Sequence, residues 1–269
     1  MVDDARIEVC NDRPPRTGGL YVLYWMQQAQ RATANQALNL AVGLANRHGL
    51  PVVVCFGLTD AFPEANARHY AFMLAGLRET ATTLAGRGIQ MVIRAGDPPA
   101  VAIELAAEAA IVVMDTGYLR LQRDWRQQVG AAVDCQALQV EADVVVPVRV
   151  ASDHQEIAAR TLRPKIHRQL SRFLVPEPDI DVRCPATGLT FDGLSPDRLM
   201  AWLAAAAVDL SVPVVRTLRP GTQGARETLT IFIRDKLPLY ASKRSEPVLA
   251  IQSEMSPYLH FGQISPVEV

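Results

Sequence analysis

LYVLYWM at residues 20–26 and PVVVCFGL at 51–58 decide the fold. Each is a short, nearly continuous apolar run, rich in β-branched and aromatic residues and bounded by Gly, Pro or Asp. A strand with one face in water would alternate, so these runs read as strands buried on both faces. IQMVIRA (89–95) and AIVVMD (110–115) repeat the pattern. Strands covered on both sides imply helices on both sides, and therefore a parallel sheet.

The segments between the strands supply those helices. Over 66–85 the residues Tyr70, Met73, Leu74, Leu77, Ala81 and Leu84 recur at spacings of three and four, leaving Arg68, Arg78 and Glu79 for solvent. In GDPPAVAIELAAEAA (96–110), Asp97 is placed to cap a helix whose first position is Pro98. The βαβαβα order through about residue 146 predicts an α/β fold, a Rossmann-like doubly wound parallel sheet. SDHQE (152–156) predicts a further helix starting at Ser152 or Asp153. Four prolines (Pro176, Pro178, Pro185 and Pro196) mark 173–198 as a surface connection. ARETLTIFIRDKLPLY (225–240) is helical again, with Leu229, Phe232, Ile233 and Leu237 on one side. The expected organisation is a tail over 1–16, the α/β domain over 17–170, a linker over 171–221 and the beginning of an all-α domain over 222–269.

A chain of 269 residues with 49% hydrophobic and 20% charged residues belongs with soluble globular proteins. Its net charge of −1 excludes a generally basic DNA-coating protein and leaves room for a local basic groove. Cys10, Cys55, Cys135 and Cys184 form no CxxC pair, so neither a metal site nor a disulfide framework is expected, and a reducing cytoplasm fits best. No basic-then-apolar leader opens the chain, and no apolar run approaches the roughly 20 residues of a membrane span.

Open parallel sheets bind ligands beyond the carboxyl ends of their strands. Here the first turn is YWMQQAQRA (24–32), and Gln27, Gln30 and Arg31 are either crevice groups or parts of a solvated turn with a helix-capping amide. No GxGxxG follows the first strand and no GxxxxGK[ST] occurs, which disfavours a nicotinamide dehydrogenase or an NTPase. RTLRPKIHRQLSR (160–172) carries Arg160, Arg163, Lys165, Arg168 and Arg172 without an acid. That density either neutralises phosphates or pairs with carboxylates across a domain junction. His48, His69, His154, His167 and His260 are scattered and read as satisfied surface or core residues, and Trp25, Trp125 and Trp202 as core or interface aromatics. In SEMSPYLHFGQISPVEV (253–269), Ser253 and Ser256 flank a turn and Pro257 can open a helix, an arrangement suited to an anion such as a pyrophosphate.

SPYLHFGQIS (256–265) resembles the FAD-domain signature of DNA photolyases, specifically the class II cyclobutane pyrimidine dimer photolyases. YWMQQAQR (24–31), AFMLAGL (71–77) and VASDHQEIAARTLRPKI (150–166) agree with it in the same order. The resemblance covers about 17–269 and implies a Rossmann-like antenna domain, a long linker and a helical domain holding FAD. It implies light-driven repair of pyrimidine dimers in UV-damaged DNA by electron transfer from reduced FAD, the cofactor supplying the chemistry. It carries cofactor binding onto Tyr240 and onto Gln252, Ser253, Glu254, Met255 and Ser256, with Tyr258, Leu259 and Phe261 as packing. It assigns no catalytic side chain and leaves the antenna chromophore as a deazaflavin, a folate or none.

About 50 helical residues cannot enclose a flavin, so the chain is expected to be an incomplete photolyase, inactive alone. It is also expected to be a cytoplasmic monomer with no membrane partner. A cryptochrome-like flavin light sensor and a stand-alone antenna or nucleotide-binding α/β domain are the alternatives.

Overall fold

A computed structural model describes residues 2–269. In chain order its elements are β1 (Ile7–Val9), β2 (Tyr21–Trp25), α1 (Gln36–His48), β3 (Val52–Leu58), α2 (Ala67–Gly86), β4 (Gln90–Ala95), α3 (Pro98–Ala106), β5 (Ala109–Asp115), α4 (Arg120–Ala132) and β6 (Gln136–Val140). There follow α5 (Val148–Ala151), α6 (Ala159–His167), α7 (Leu170–Phe173), α8 (Leu199–Ala205), α9 (Thr222–Ile231), a π-helical turn over Phe232–Lys236, α10 (Leu237–Lys243) and α11 (Ser256–His260).

The strands form one sheet in the order β1-β6-β5-β2-β3-β4. All pairings are parallel except that of β1 with β6. Every residue of β2, β3 and β5 is buried, as expected of strands covered on both faces. One apolar cluster packs α1 on one side of the sheet and another packs α3 and α4 on the other. The predicted α2 forms with Tyr70, Leu74, Leu77, Ala81 and Leu84 buried. Glu79 is not left to solvent: its carboxylate accepts the Gln223 backbone N–H at 3.0 Å. Asp97 caps α3 through the Ala100 N–H, with Pro98 at the first helical position, as its sequence requires.

Two expectations are corrected, and the contacts of the 171–221 connection are added. Residues 7–9, placed in an N-terminal tail, form β1; a three-residue edge strand with Glu8 at its centre has no apolar run to announce it. No helix starts at Ser152 or Asp153. Ser152 instead ends α5 in extended geometry, its hydroxyl takes the Glu156 carboxylate and the Lys165 ammonium as partners, and the next helix waits until Ala159. The 171–221 connection is strapped down rather than free. Asn39 and Asn46 of α1 bond the backbone of 178–183, Ala186 donates to Gly88 and Leu194 to Ile93. Within it α8 buries Leu199 and Leu203 against Tyr70 and Leu74 of α2.

Among the described residues no helix is long and apolar enough to cross a membrane. Among the same residues none of the four cysteines is paired and no cluster of candidate metal ligands occurs.

Candidate functional site

Strand order reverses direction between β5 and β2, the point at which an open α/β sheet parts to make a crevice. Asp115 ends β5 there. Its carboxylate accepts the Tyr24 hydroxyl at 2.6 Å and the backbone N–H groups of Gln27, Gln28 and Ala29 at 2.9, 2.9 and 3.0 Å. The bend that in nucleotide-binding sheets cradles a phosphate is thus filled by the chain's own anion. Asn35 completes the turn, donating to the Tyr24 hydroxyl and to the Ala29 and Arg31 carbonyls while its Oδ1 caps α1.

The turn's three polar side chains are therefore buried rather than solvated. Gln27 accepts the Gly57 N–H, Gln30 donates to the Gln27 carbonyl, and Arg31 donates to the carbonyls of Ala34, Ala142 and Gly262 at 3.1, 2.8 and 3.1 Å. The last bond reaches 231 residues along the chain, into the 256–265 segment. Next to it Gln263, fully buried, accepts the Gly221 N–H at 2.8 Å and donates to the Phe72 carbonyl at 3.2 Å, while its own carbonyl takes the Thr222 hydroxyl. Gly76 makes the room: a Cβ there would sit 2.7 Å from Gln263 Cδ. Phe72 completes the contact with its ring 5.3 Å from Tyr258 and 5.8 Å from Phe261. YWMQQAQR, AFMLAGL and SPYLHFGQIS, separate in sequence, meet at this one seam. The fourth segment, 150–166, contributes none of these contacts.

A cavity of about 270 Å³ opens on the seam at the carboxyl ends of β2 and β3. Phe56, Phe62, Tyr70, Trp125 and Phe261 form its apolar wall, and Gln27, Gln28, Gln30 and Gln122 its amides. Gln30 Oε1 is buried without a hydrogen-bond partner, an acceptor aimed at nothing in the chain. His69 and His260, expected as scattered and satisfied, both line this cavity. His69 Nδ1 is satisfied by the Asn66 N–H in the cap of α2, and burial holds the His260 imidazole below its ordinary pKa. Arg126 does not line this cavity but stands behind Gln28: it stacks 5.1 Å over the Trp25 ring, donates to the Asp115 carbonyl at 2.7 Å and bonds the Gln28 side chain. Burial brings its guanidinium down to about 10, against the pull of Asp115 and Asp143.

A larger cavity of about 410 Å³ lies beside β1 and β6, but its carboxylates are already matched. Arg149 pairs with Glu8 at 2.5 Å, Glu141 accepts the Tyr118 hydroxyl and the Val148 N–H, and Arg6 spends its donors on the carbonyls of Glu141, Val144 and Val145. The smaller seam cavity, apolar with an unsatisfied amide, has the character of a ligand site.

Asp143 sits behind Arg31, 3.9 Å from its guanidinium, with Oδ1 unbonded. Burial, then the Asp115 carboxylate, push its carboxyl up to about 7, with Arg31 and Arg126 pulling the other way. The folded pKa lies above the unfolded one, so the proton stabilises the fold below about pH 4 and that contribution is lost as pH rises toward about 7. Thermal melts across this range are expected to fall with pH in the wild type and to be flatter in Asp143→Asn; parallel profiles would refute the assignment.

The residues to which the resemblance assigns the flavin lie together, beyond the seam. Tyr240, on α10, packs edge-on against Phe232 at 5.5 Å. One turn to either side, Lys236 donates to the Gln252 carbonyl and the Arg244 carbonyl accepts from Gln252 Nε2 at 2.7 Å, so α10 lies along the 252–256 loop. Ser253 Oγ accepts the Met255 N–H, and Glu254 takes a left-handed backbone at φ 59°. Met255 is buried among Phe72, Ala225, Tyr258 and Ile264, whereas Gln252, Glu254 and Ser256 are exposed. Tyr258 and Phe261 pack as expected; Leu259 is exposed, because α11 turns that face away from the cluster.

The family pattern described as DNA photolyase matches residues 22–184. A deoxyribodipyrimidine photo-lyase of Methanothermobacter thermautotrophicus is 40% identical over 99% of this chain and 59% of its own length. One of Potorous tridactylus is 36% identical over 90% of this chain and 46% of its own. The chain thus spans about half the length of the curated relatives it matches. Among solved structures, a bacterial class III photolyase from Agrobacterium tumefaciens superposes with a TM-score of 0.68 at 20% identity, over 94% of this chain and 52% of that one. An archaeal photolyase from Sulfolobus tokodaii does so with 0.72 at 17% identity, over 93% and 54%. Pattern and relatives agree: the chain belongs to the DNA photolyase family.

Proposed function

We propose that this chain supplies the antenna domain and the first flavin-contacting segment of a class II photolyase, which repairs cyclobutane pyrimidine dimers in UV-damaged DNA. The observation that carries the reading is the convergence of three signature segments on one seam beside an apolar cavity with an orphan amide acceptor. The cavity suits a flat heteroaromatic antenna, a deazaflavin or a folate, with rings against Phe62 and Trp125 and a donor on Gln30 Oε1.

The residues present fit one side of a flavin cradle. Gln252, Glu254 and Ser256 are exposed and Tyr240 and Ser253 half-buried, and Ile231, Ile233, Leu237, Leu239 and Leu249 leave apolar surface open where an enclosing domain needs further helices. When bound, reduced FAD supplies light-driven electron donation to the dimer. This chain's residues bind one flank of the cofactor, orient it against the antenna domain and keep water out of the seam. Alone it holds FAD weakly and repairs nothing. Four unpaired cysteines fit a reducing cytoplasm, and we take the protein to be a monomer.

Two titrations of the purified chain test this. With FAD, no stoichiometric flavin absorbance and no light-dependent repair are expected; both appearing would overturn the incompleteness. With a deazaflavin or a folate, binding is expected at the seam and is expected to weaken about tenfold in Phe62→Ala, the share of one aromatic contact. Equal affinity in wild type and variant would remove the antenna assignment.

A further inference from the structure

One surface of the protein is not explained by the seam: the basic segment of α6 and α7. Its cations divide by direction. Those facing the body are paired: Lys165 reaches Glu156 at 2.5 Å, and Arg172 grips Asp3 with two bonds of 2.8 Å while stacking 4.8 Å over Phe173. Leu162 and Ile166 are half-buried beside them. Arg160, Arg163 and Arg168 are exposed, and among the described residues none of them meets a carboxylate or any other hydrogen-bond acceptor. Arg160, Arg163 and His167 follow an i, i+3, i+7 spacing, so they share one helical face, and Arg168 caps its end.

Of the five cations only Arg172 is spent on the body of the α/β domain, through Asp3, and Lys165 is spent on Glu156 of its own segment. The other three form an unneutralised stripe on a chain whose net charge is −1, so general basicity does not account for them. From Arg160 to Arg168 the helix advances about 12 Å, a length over which one strand of a duplex carries about three phosphates.

We propose that this stripe binds the phosphate backbone of duplex DNA, on the α/β domain and apart from the flavin-bearing segment. It rests on the reading that damaged DNA is the partner, but it needs neither lesion nor cofactor. It serves to hold the duplex by its backbone, without sequence preference.

Each phosphate neutralised adds about 0.9 to the slope of log affinity against log salt, so three arginines contribute about 40-fold of affinity loss between about 50 and 200 mM salt. The full chain is titrated with a labelled, undamaged duplex across that range. Arg160→Gln, Arg163→Gln and Arg168→Gln combined are expected to lower the slope by about two to three units and leave the thermal melt unchanged. Arg47→Gln, Arg183→Gln and Arg198→Gln combined, which remove the same charge from other exposed sites, are expected to leave the slope in place. An equal fall in both triples, no fall in the first, or no duplex binding by the wild type at low salt would each overturn the stripe. Persistent binding with an unchanged slope would do so while leaving DNA as the partner, and pigment or flavin binding is read independently.

Discussion

Asp115→Ala is expected to destabilise the protein by about 4 kcal/mol or more, placing it among the largest single-residue effects in the chain. The carboxylate accepts four hydrogen bonds, three from consecutive backbone N–H groups and one from a tyrosine hydroxyl, all in the buried end of the sheet. Alanine leaves those donors without water or partner, and each unsatisfied buried donor carries about 1–3 kcal/mol. Asp115→Asn keeps the volume but turns one acceptor into a donor facing donors, so its expected loss lies between alanine and wild type. Denaturant titration of the three proteins checks the order. The side chain also fixes the 27–29 turn on which the seam cavity is built, so the asparagine variant is expected to bind an antenna pigment more weakly even where it stays folded. An asparagine variant as stable as wild type would show that geometry, not charge, holds the turn.

How far the sequence reveals this can be followed residue by residue. The core strands β2, β3 and β5 are legible because double-sided burial demands apolar runs, and Asp97 is legible because an N-cap followed by proline has one structural use. Ser152 misleads because its hydroxyl serves equally a cap, a carboxylate or an ammonium, and only tertiary contacts with Glu156 and Lys165 choose among these. Asp115 appears in the sequence only as the residue that closes a strand. Its importance follows from β5 returning beside β2, a topological fact that no local spacing contains. A lone acid at the end of the strand that crosses the switch point is the signal that could have exposed it. The 256–265 signature is recognisable, yet its division of labour is not. Within it Gly262 and Gln263 face the α/β domain, and only the bonds to Arg31 and Phe72 disclose that role.

That division makes Gly262→Ala the second large effect. Gly262 has φ 61°, and a Cβ there would overlap the Gln28 carbonyl oxygen and lie 2.7 Å from Ala29 Cα. Both are backbone atoms of the turn that Asp115 pins, so no rotamer change can relieve the clash. Gly49, which ends α1, provides the control: its φ is 66° and nothing lies within 4 Å of an added Cβ. Gly49→Ala therefore carries only the left-handed penalty, about 1 kcal/mol. Gly262→Ala carries that penalty and also forces the 256–265 segment off its seat, breaking the Arg31 bond to the Gly262 carbonyl and exposing Gln263. The expected result is a loss of several-fold the Gly49 figure, with new protease cleavage confined to residues after about 220 while the sheet domain stays resistant. Gln263→Leu, which keeps the size but strands the Gly221 N–H, is expected to shift protection in the same region by about 1–3 kcal/mol. If Gly262→Ala and Gly49→Ala melt together and are cut alike, the two parts of the chain are not held by this contact, and the seam cavity loses the wall that Phe261 supplies to it.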